Sequence, residues 1–255
     1  MTTSPIQKGF AGIPHLPFAQ AQAREKQLLA QVANAGQGWE SEVWSTDQAL
    51  IVPFSATHEA DFENACQRMG EAGWPVLVRH TGGDVTPQSP NMVNVSFAFC
   101  LPRSDDLSIR ETYLSFCQPI LDFLKADLRI NAYLASVDGA FCDGAYNVVV
   151  NGCKLAGTAQ RWRLTKTPEG KPAVAVLGHA AILWDVDIAV SIAATNEFYK
   201  RSSVNRSVIA QKHTTVKCLI GEHASGVLPE VKSFDAFLKN YRSNWLREHG
   251  LNNFD

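Results

Sequence analysis

A cysteine and a lysine twelve residues apart are the side chains of this chain best suited to covalent chemistry. Cys142 stands among small residues in Gly139-Ala140-Phe141-Cys142-Asp143-Gly144, and a β-branched run from Tyr146 to Val150 follows. The lysine then comes in Asn151-Gly152-Cys153-Lys154-Leu155-Ala156-Gly157-Thr158-Ala159-Gln160-Arg161. A strand that turns back on itself would set a thiol able to attack a carbonyl beside an ammonium able to stabilise the resulting oxyanion. The usual fate of a free cysteine is that of a small buried hydrophobe. Asp143 and Gly144 suggest a loop instead, where exposure and a nearby ammonium favour a nucleophilic thiolate. Lys154 reads equally as a solvated turn lysine, and Cys153, on the opposite side of an extended turn, reads as structural. Cys66, Cys100, Cys117 and Cys218 fall in helical or strand patterns as bystanders.

A second constellation is Arg79-His80-Thr81-Gly82-Gly83-Asp84-Val85-Thr86, directly after an apolar strand. Paired glycines let backbone N–H groups approach a ligand closely, and Arg79 can meet a carboxylate or phosphate in bidentate fashion. No Gly-Lys-Ser/Thr follows, so this is not a P-loop. His80, His179 and His213 show no metal-ligand spacing and read as satisfied structural histidines.

The positioning elements are legible from periodicity. Phe18 to Ala35 reads as a helix ended by Gly36 and Gly38. Ala49 to Phe54 is a short strand, and Ser55 or Thr57 is expected to cap a helix through about Met69. Val76 to Arg79 and Asn94 to Cys100 are strands. Ile109, Tyr113, Phe116, Ile120 and Phe123 recur at helical spacing. Strands are expected at Ile130–Ala135, Tyr146–Val150, Leu155–Arg163 and Ala173–Leu183, with a polar hairpin loop from Thr165 to Pro172. His179 to Asp187 runs from a strand into a helix capped by Asp185 or Asp187. Val231, Phe234, Leu238, Tyr241 and Trp245 mark a closing helix. Without strict βαβ alternation the pattern is α+β, with an irregular lead-in at 1–17 and one domain at 18–250.

Length and apolar content (255 residues, 45%) allow a sizeable core. A balance of 23 basic against 25 acidic residues argues against a nucleic-acid binder. No apolar run approaches a membrane span, and Met1 to Gly12 lacks the order of a secretory signal. Six scattered cysteines suit reduced thiols. A cytoplasmic protein without metal or membrane partner is expected.

Arg79-His80-Thr81-Gly82-Gly83, then Asn94-Val95-Ser96, then the Gly152 to Arg161 run, then His179 to Asp187 resemble the biotin/lipoate A/B protein ligase family in order and spacing. The resemblance spans roughly 20–245 and is closest to the lipoyl-attachment branch. It implies a class II aminoacyl-tRNA synthetase/biotin ligase-like α+β domain, with a central mixed or antiparallel sheet flanked by helices. It also implies transfer of octanoate or lipoate to a lysine of a lipoyl carrier domain, such as the glycine-cleavage H protein or the E2 subunits of 2-oxoacid dehydrogenases. Acyl carrier protein enters as a donor. Lys154 falls on the family's lysine that contacts the acyl carbonyl. Val78, Arg79, Thr81, Gly82, Gly83, Gly157, Thr158 and Ala159 are implied to wall the acyl tunnel.

Within that family the Gly139 to Tyr146 segment resembles the nucleophile segment of cysteine-dependent octanoyl amidotransferases. That implies a thioester on Cys142 and no cofactor. The alternative is an ATP-dependent lipoate ligase, using ATP and Mg2+; a non-catalytic acyl-binding protein of the same fold is a further one. Asp84 stands where a third glycine is usual and would repel an adenylate phosphate if it pointed inward. Gln88 replaces a common histidine and cannot act as a base, and Cys153 occupies an often basic position.

Overall fold

A computed structural model describes residues 9–79, 82–105, 107–221 and 230–248. The chain begins with α1 (Phe18–Ala35), whose last turn is closed by Gly36 in the left-handed region, its N–H donating to Val32 O. Next come β1 (Trp39–Trp44), β2 (Ala49–Pro53), α2 (Phe62–Glu71), β3 (Val76–Arg79), β4 (Thr86–Gln88) and β5 (Met92–Pro102). After them follow α3 (Ile109–Ala126), β6 (Tyr133–Ala135), β7 (Asn147–Val150), β8 (Cys153–Lys166) and β9 (Pro172–Leu183). Helices α4 (Ile188–Arg201), α5 (Val216–Gly221) and α6 (Val231–Glu248) complete the order.

The strands form a six-stranded antiparallel sheet, β1-β5-β9-β8-β7-β6, and a small sheet, β3-β2-β4, in which β2 and β3 run parallel. Strand β5 is buried from Met92 to Cys100, so both faces of the large sheet are covered there. On one face Phe116 and Phe123 of α3 and Phe234 of α6 pack with Trp39, Phe97 and Trp184. The opposite face is shared. Leu29 and Val32 of α1 pack on Ala98, Ala175 and Leu177. The small sheet and α4 pack through Leu50, Val52 and Phe198 on Ala181 and Leu183. Between these two coverings lie Gly157, Ala159, Ala181 and His179, brought together by the β8–β9 register. Gly157 and Ala159 are small, and a gap remains there that neither covering fills.

Three local expectations change. The segment after β2 is a 3-10 turn, Phe54–His58, and α2 starts only after Asp61. Thr57 donates its hydroxyl backward to Phe54 O, so it does not cap a following N–H. The strand expected from Ile130 is confined to Tyr133–Ala135. The lead-in is partly tied down, since Leu16 N–H donates to Ser45 O and His15 bridges to Ser45.

Candidate active site

The glycine loop after β3 is organised by Arg79. Its guanidinium donates to the carbonyls of Ile51 (3.1 Å), Gly82 (3.2 Å) and Asp84 (2.6 Å). It therefore braces the loop from within, whereas the sequence suggested a free bidentate anion clamp. Gly83 has φ 100°, and a Cβ on it would lie 2.9 Å from Cys142 Sγ and 2.8 Å from Arg79 Nη2. Only glycine allows that approach. The Asp84 carboxylate accepts from Val85 N–H and pairs with Arg206.

Cys142 sits in the turn between β6 and β7 with φ 40°, uncommon for a residue with a side chain. Asp143 holds that turn: its carboxylate accepts from Val137 N–H and from the Asn147 amide, both at 2.7 Å. The result aims the Cys142 sulfur at the glycine loop, where Asp84 N–H donates to Sγ at 3.2 Å and Arg79 Nη2 lies at 3.7 Å.

The lysine arrives through a hairpin. Asn151 and Gly152, with φ 49° and 76°, supply the two-residue turn whose twist suits antiparallel strands. Val149 pairs with Lys154, yet Val148 pairs with Ala156, so Leu155 is an extra residue in the ladder. Leu155 and Ala156 consequently both enter the main core, and Lys154 is turned to the side of Gly157. A Cβ on Gly157 would lie 3.2 Å from Lys154 Nζ. The ammonium is fully covered and donates to Phe141 O (2.6 Å) and Cys142 O (2.9 Å). Loss of hydration pushes its pKa down to about 8, against the opposing pull of Cys142 and Asp143. Two of its three protons are spoken for, which leaves one donor for an incoming oxygen.

These limbs border a cavity of about 380 Å³, the size of a small-molecule pocket. Its wall follows β8 from Gly157 to Arg161 and β9 from Ala181 to Leu177, a run of roughly 13 Å at strand spacing. Cys142, Lys154, Arg79, Gly82, Gly83, Gly157, Thr158 and Ala159 all line it. Val78 does not: it packs against the core of the small sheet, on the other side of the strand from Arg79. Thr81 and His80 lie outside the described residues.

The far wall holds residues that the sequence reading passed over. Glu25 of α1 accepts from Ser96 Oγ at 2.8 Å and meets His179 Nδ1 at 2.7 Å. Trp44 Nε1 donates to Ser96 Oγ and its ring packs on His179. Burial pushes the Glu25 carboxyl up, but His179 and Ser96 outweigh it and hold the group below its ordinary value. His179 is thus satisfied, as expected, and also lines the cavity. A signal for Glu25 existed: it falls between Ala21 and Leu29 on the buried stripe of α1. Gln88 is locked in a reciprocal amide pair with Asn94. Burial pushes the thiols of Cys117 and Cys100 up, the latter to about 11. Among the described residues, no group of three or more His, Cys, Asp or Glu is placed to hold a metal ion.

The geometry thus sets a sulfur, two kinds of N–H donor and a covered ammonium on the wall of one cavity. Residues 17–227 match the Lipoyl protein ligase A/B catalytic domain. The chain belongs to that family. Among its relatives in the family, an octanoyl-GcvH:protein N-octanoyltransferase of Kyrpidia tusciae is 30% identical over 205 residues, covering 78% of this chain and 68% of the relative. A Cupriavidus necator protein described as uncharacterized is 31% identical, covering 74% and 78%. The fold resembles a lipoate-protein ligase A crystallised with ATP (TM-score 0.60, 18% identity, 94% of this chain and 86% of that one). A putative lipoate protein ligase from T. acidophilum with bound lipoic acid aligns with TM-score 0.59. The lipoyl ligase family places this chain among acyl-transferring enzymes, and no helix among its described residues is long and apolar enough to cross a membrane.

Proposed function

We propose that this enzyme moves an octanoyl or lipoyl group through a thioester on Cys142 to a lysine of a lipoyl carrier domain. The observation that carries the reading is the Cys142 sulfur held 3.2 Å from Asp84 N, with Lys154 Nζ on the carbonyl of the same cysteine. In the first half-reaction the thiolate attacks the acyl carbonyl of the donor, and the third N–H of the Lys154 ammonium donates a hydrogen bond to the oxyanion. A donor of this kind typically contributes ~3 kcal/mol to the transition state. Collapse expels the donor's thiol or amine, which leaves carrying the proton given up by the Cys142 thiol, and the acyl group stays on sulfur. The carrier lysine then attacks as a neutral amine, the amide forms, and the proton the amine gives up goes to the departing Cys142 sulfur, completing a ping-pong cycle. The acyl chain lies along Gly157 and Ala159, where small residues leave room for it. The named substrate of the Kyrpidia tusciae relative supports octanoylated glycine-cleavage H protein as the donor to try first. A Thermoplasma acidophilum ligase studied with its E2 lipoyl domain supports E2 domains as acceptors.

A second reading, an ATP-dependent ligase passing through an acyl-adenylate, is favoured by the likeness to the ATP-bound lipoate-protein ligase A. Against it, Arg79 spends its donors on backbone carbonyls, and the added Asp84 carboxylate engages Arg206. Intact-mass spectrometry after incubation with octanoylated carrier, without ATP, separates the two. One octanoyl adduct is expected on the wild type and none on Cys142→Ser. An unmodified wild type that ligates free lipoate once ATP is added would establish the ligase instead.

A further inference from the structure

Asp84, Cys142 and Lys154 come to the cavity from three separate limbs of the fold. One stretch, residues 204–214 after α4, touches all three. Arg206 pairs with the Asp84 carboxylate. Ile209 N–H donates to Gly139 O at 2.8 Å, and Thr214 N–H to Lys154 O at 3.0 Å. The stretch is itself fastened to α4 by the Asn196 side chain, which bonds both Val208 N–H (2.7 Å) and Val208 O (2.9 Å).

His213 is the hub of this strap. It is only 6% exposed. Phe141 N–H donates to its Nε2 at 3.1 Å, so the ring proton is on Nδ1, which donates to Ile209 O at 3.0 Å. The imidazole lies flat on the Phe141 ring, 4.8 Å between centroids and 6° apart, and Lys154 Nζ sits 4.5 Å from that same phenyl ring. Burial and then the Lys154 charge push the imidazole down to about 4, so it stays neutral at physiological pH. Its two ring nitrogens are engaged by backbone and none of its hydrogen bonds reaches Cys142 Sγ. The charged and titratable groups facing the cysteine turn are Arg79, Asp84, Asp143 and Lys154, with Tyr113 and Tyr199 farther out.

We propose that His213 is a positioning residue for this acyl transfer: by accepting from Phe141 N–H it holds the Ala140–Phe141 peptide, which leads into the Cys142 turn, so that the sulfur meets Asp84 N–H. This rests on the acyl-transfer reading above. The turn needs such a hold because Cys142 is kept at positive φ, which a released turn would abandon.

His213→Phe keeps the ring stack and removes the acceptor, whereas His213→Gln places an amide oxygen near the position of Nε2. Single-turnover octanoylation of Cys142, followed by intact mass, should slow by about tenfold or more in His213→Phe at saturating donor. The donor concentration for half-maximal rate should stay within about twofold, and His213→Gln should recover to within about threefold of wild type. Should His213→Phe fail to fold, His213→Asn replaces it with the same expectation, since its amide serves Ile209 O but falls short of Phe141. A wild-type rate in the Phe or Asn variant overturns the proposal, as does a Gln variant as slow as Phe. Alkylation of Cys142 by iodoacetamide is measured in parallel because it needs no acyl donor. If the wild type takes no octanoyl group, the acyl-transfer reading fails, while the alkylation ratio between the variants still decides whether His213 presents the thiol.

Discussion

Gly83 lies between two groups that leave no room for a methyl. An added Cβ would crowd both the Cys142 sulfur at 2.9 Å and the Arg79 guanidinium at 2.8 Å, from a backbone conformation that alanine adopts only with strain. Either response is harmful to the site: the sulfur withdraws from Asp84 N–H, or Arg79 releases the carbonyls it braces. Gly83→Ala is therefore expected to fold and to lower the Cys142 acylation rate by at least about tenfold, since small misplacements of reacting groups are costly. Time-resolved intact-mass measurements check this. A variant that acylates at the wild-type rate would mean that the loop adjusts without moving the sulfur. At this scale the meeting of Cys142 and Lys154 was legible in the sequence because a short hairpin joins them. The duties of Arg79 and Asp143 were not, because a guanidinium on carbonyls and one on a phosphate look alike in a sequence.

Among the elements, β9 and α3 meet at Gly178, where a Cβ would fall 2.5 Å from the Phe116 ring. Phe116 is fully buried in the main core, so the ring has nowhere to retreat. Gly178→Ala should cost about 1–3 kcal/mol of stability, read as a lower denaturation midpoint. An unchanged midpoint would show that α3 shifts freely on the sheet. The helices α1, α3 and α6 were readable because each carries an apolar stripe at helical spacing and, for α1, a glycine stop. Strand β1 was not. Its centre is Glu40, Ser41 and Glu42, whose charges are met by Arg242 and Arg24 from distant positions. Strand β4 escaped because three residues containing Pro87 have no period. The cavity's far wall was hidden for a related reason: Glu25, Ser96 and His179 become a cluster only when α1 lies across β5 and β9.

For the whole molecule, acid sensitivity follows from the same strap that assembles the site. His213 titrates near 6.5 when unfolded and about 4 when folded, so between those values the unfolded chain binds the extra proton. Stability is then lost as pH falls through that window, by about 3 kcal/mol for this group alone. Urea midpoints measured from pH 7 to pH 4 should decline, and His213→Phe should flatten the decline. A variant with the same slope as wild type would assign the acid sensitivity to other groups.

The extra residue at Leu155 makes the site depend on parity. In an uninterrupted strand, residues three apart face opposite sides, so Lys154 and Gly157 would be divided between core and cavity. The irregular pairing of Val148 and Val149 brings them to one side. Chain length here is consequently counted in odd and even, not in ångströms. One residue gained between Lys154 and Gly157 sends the ammonium into the hydrophobic layer, and two return it to the cavity.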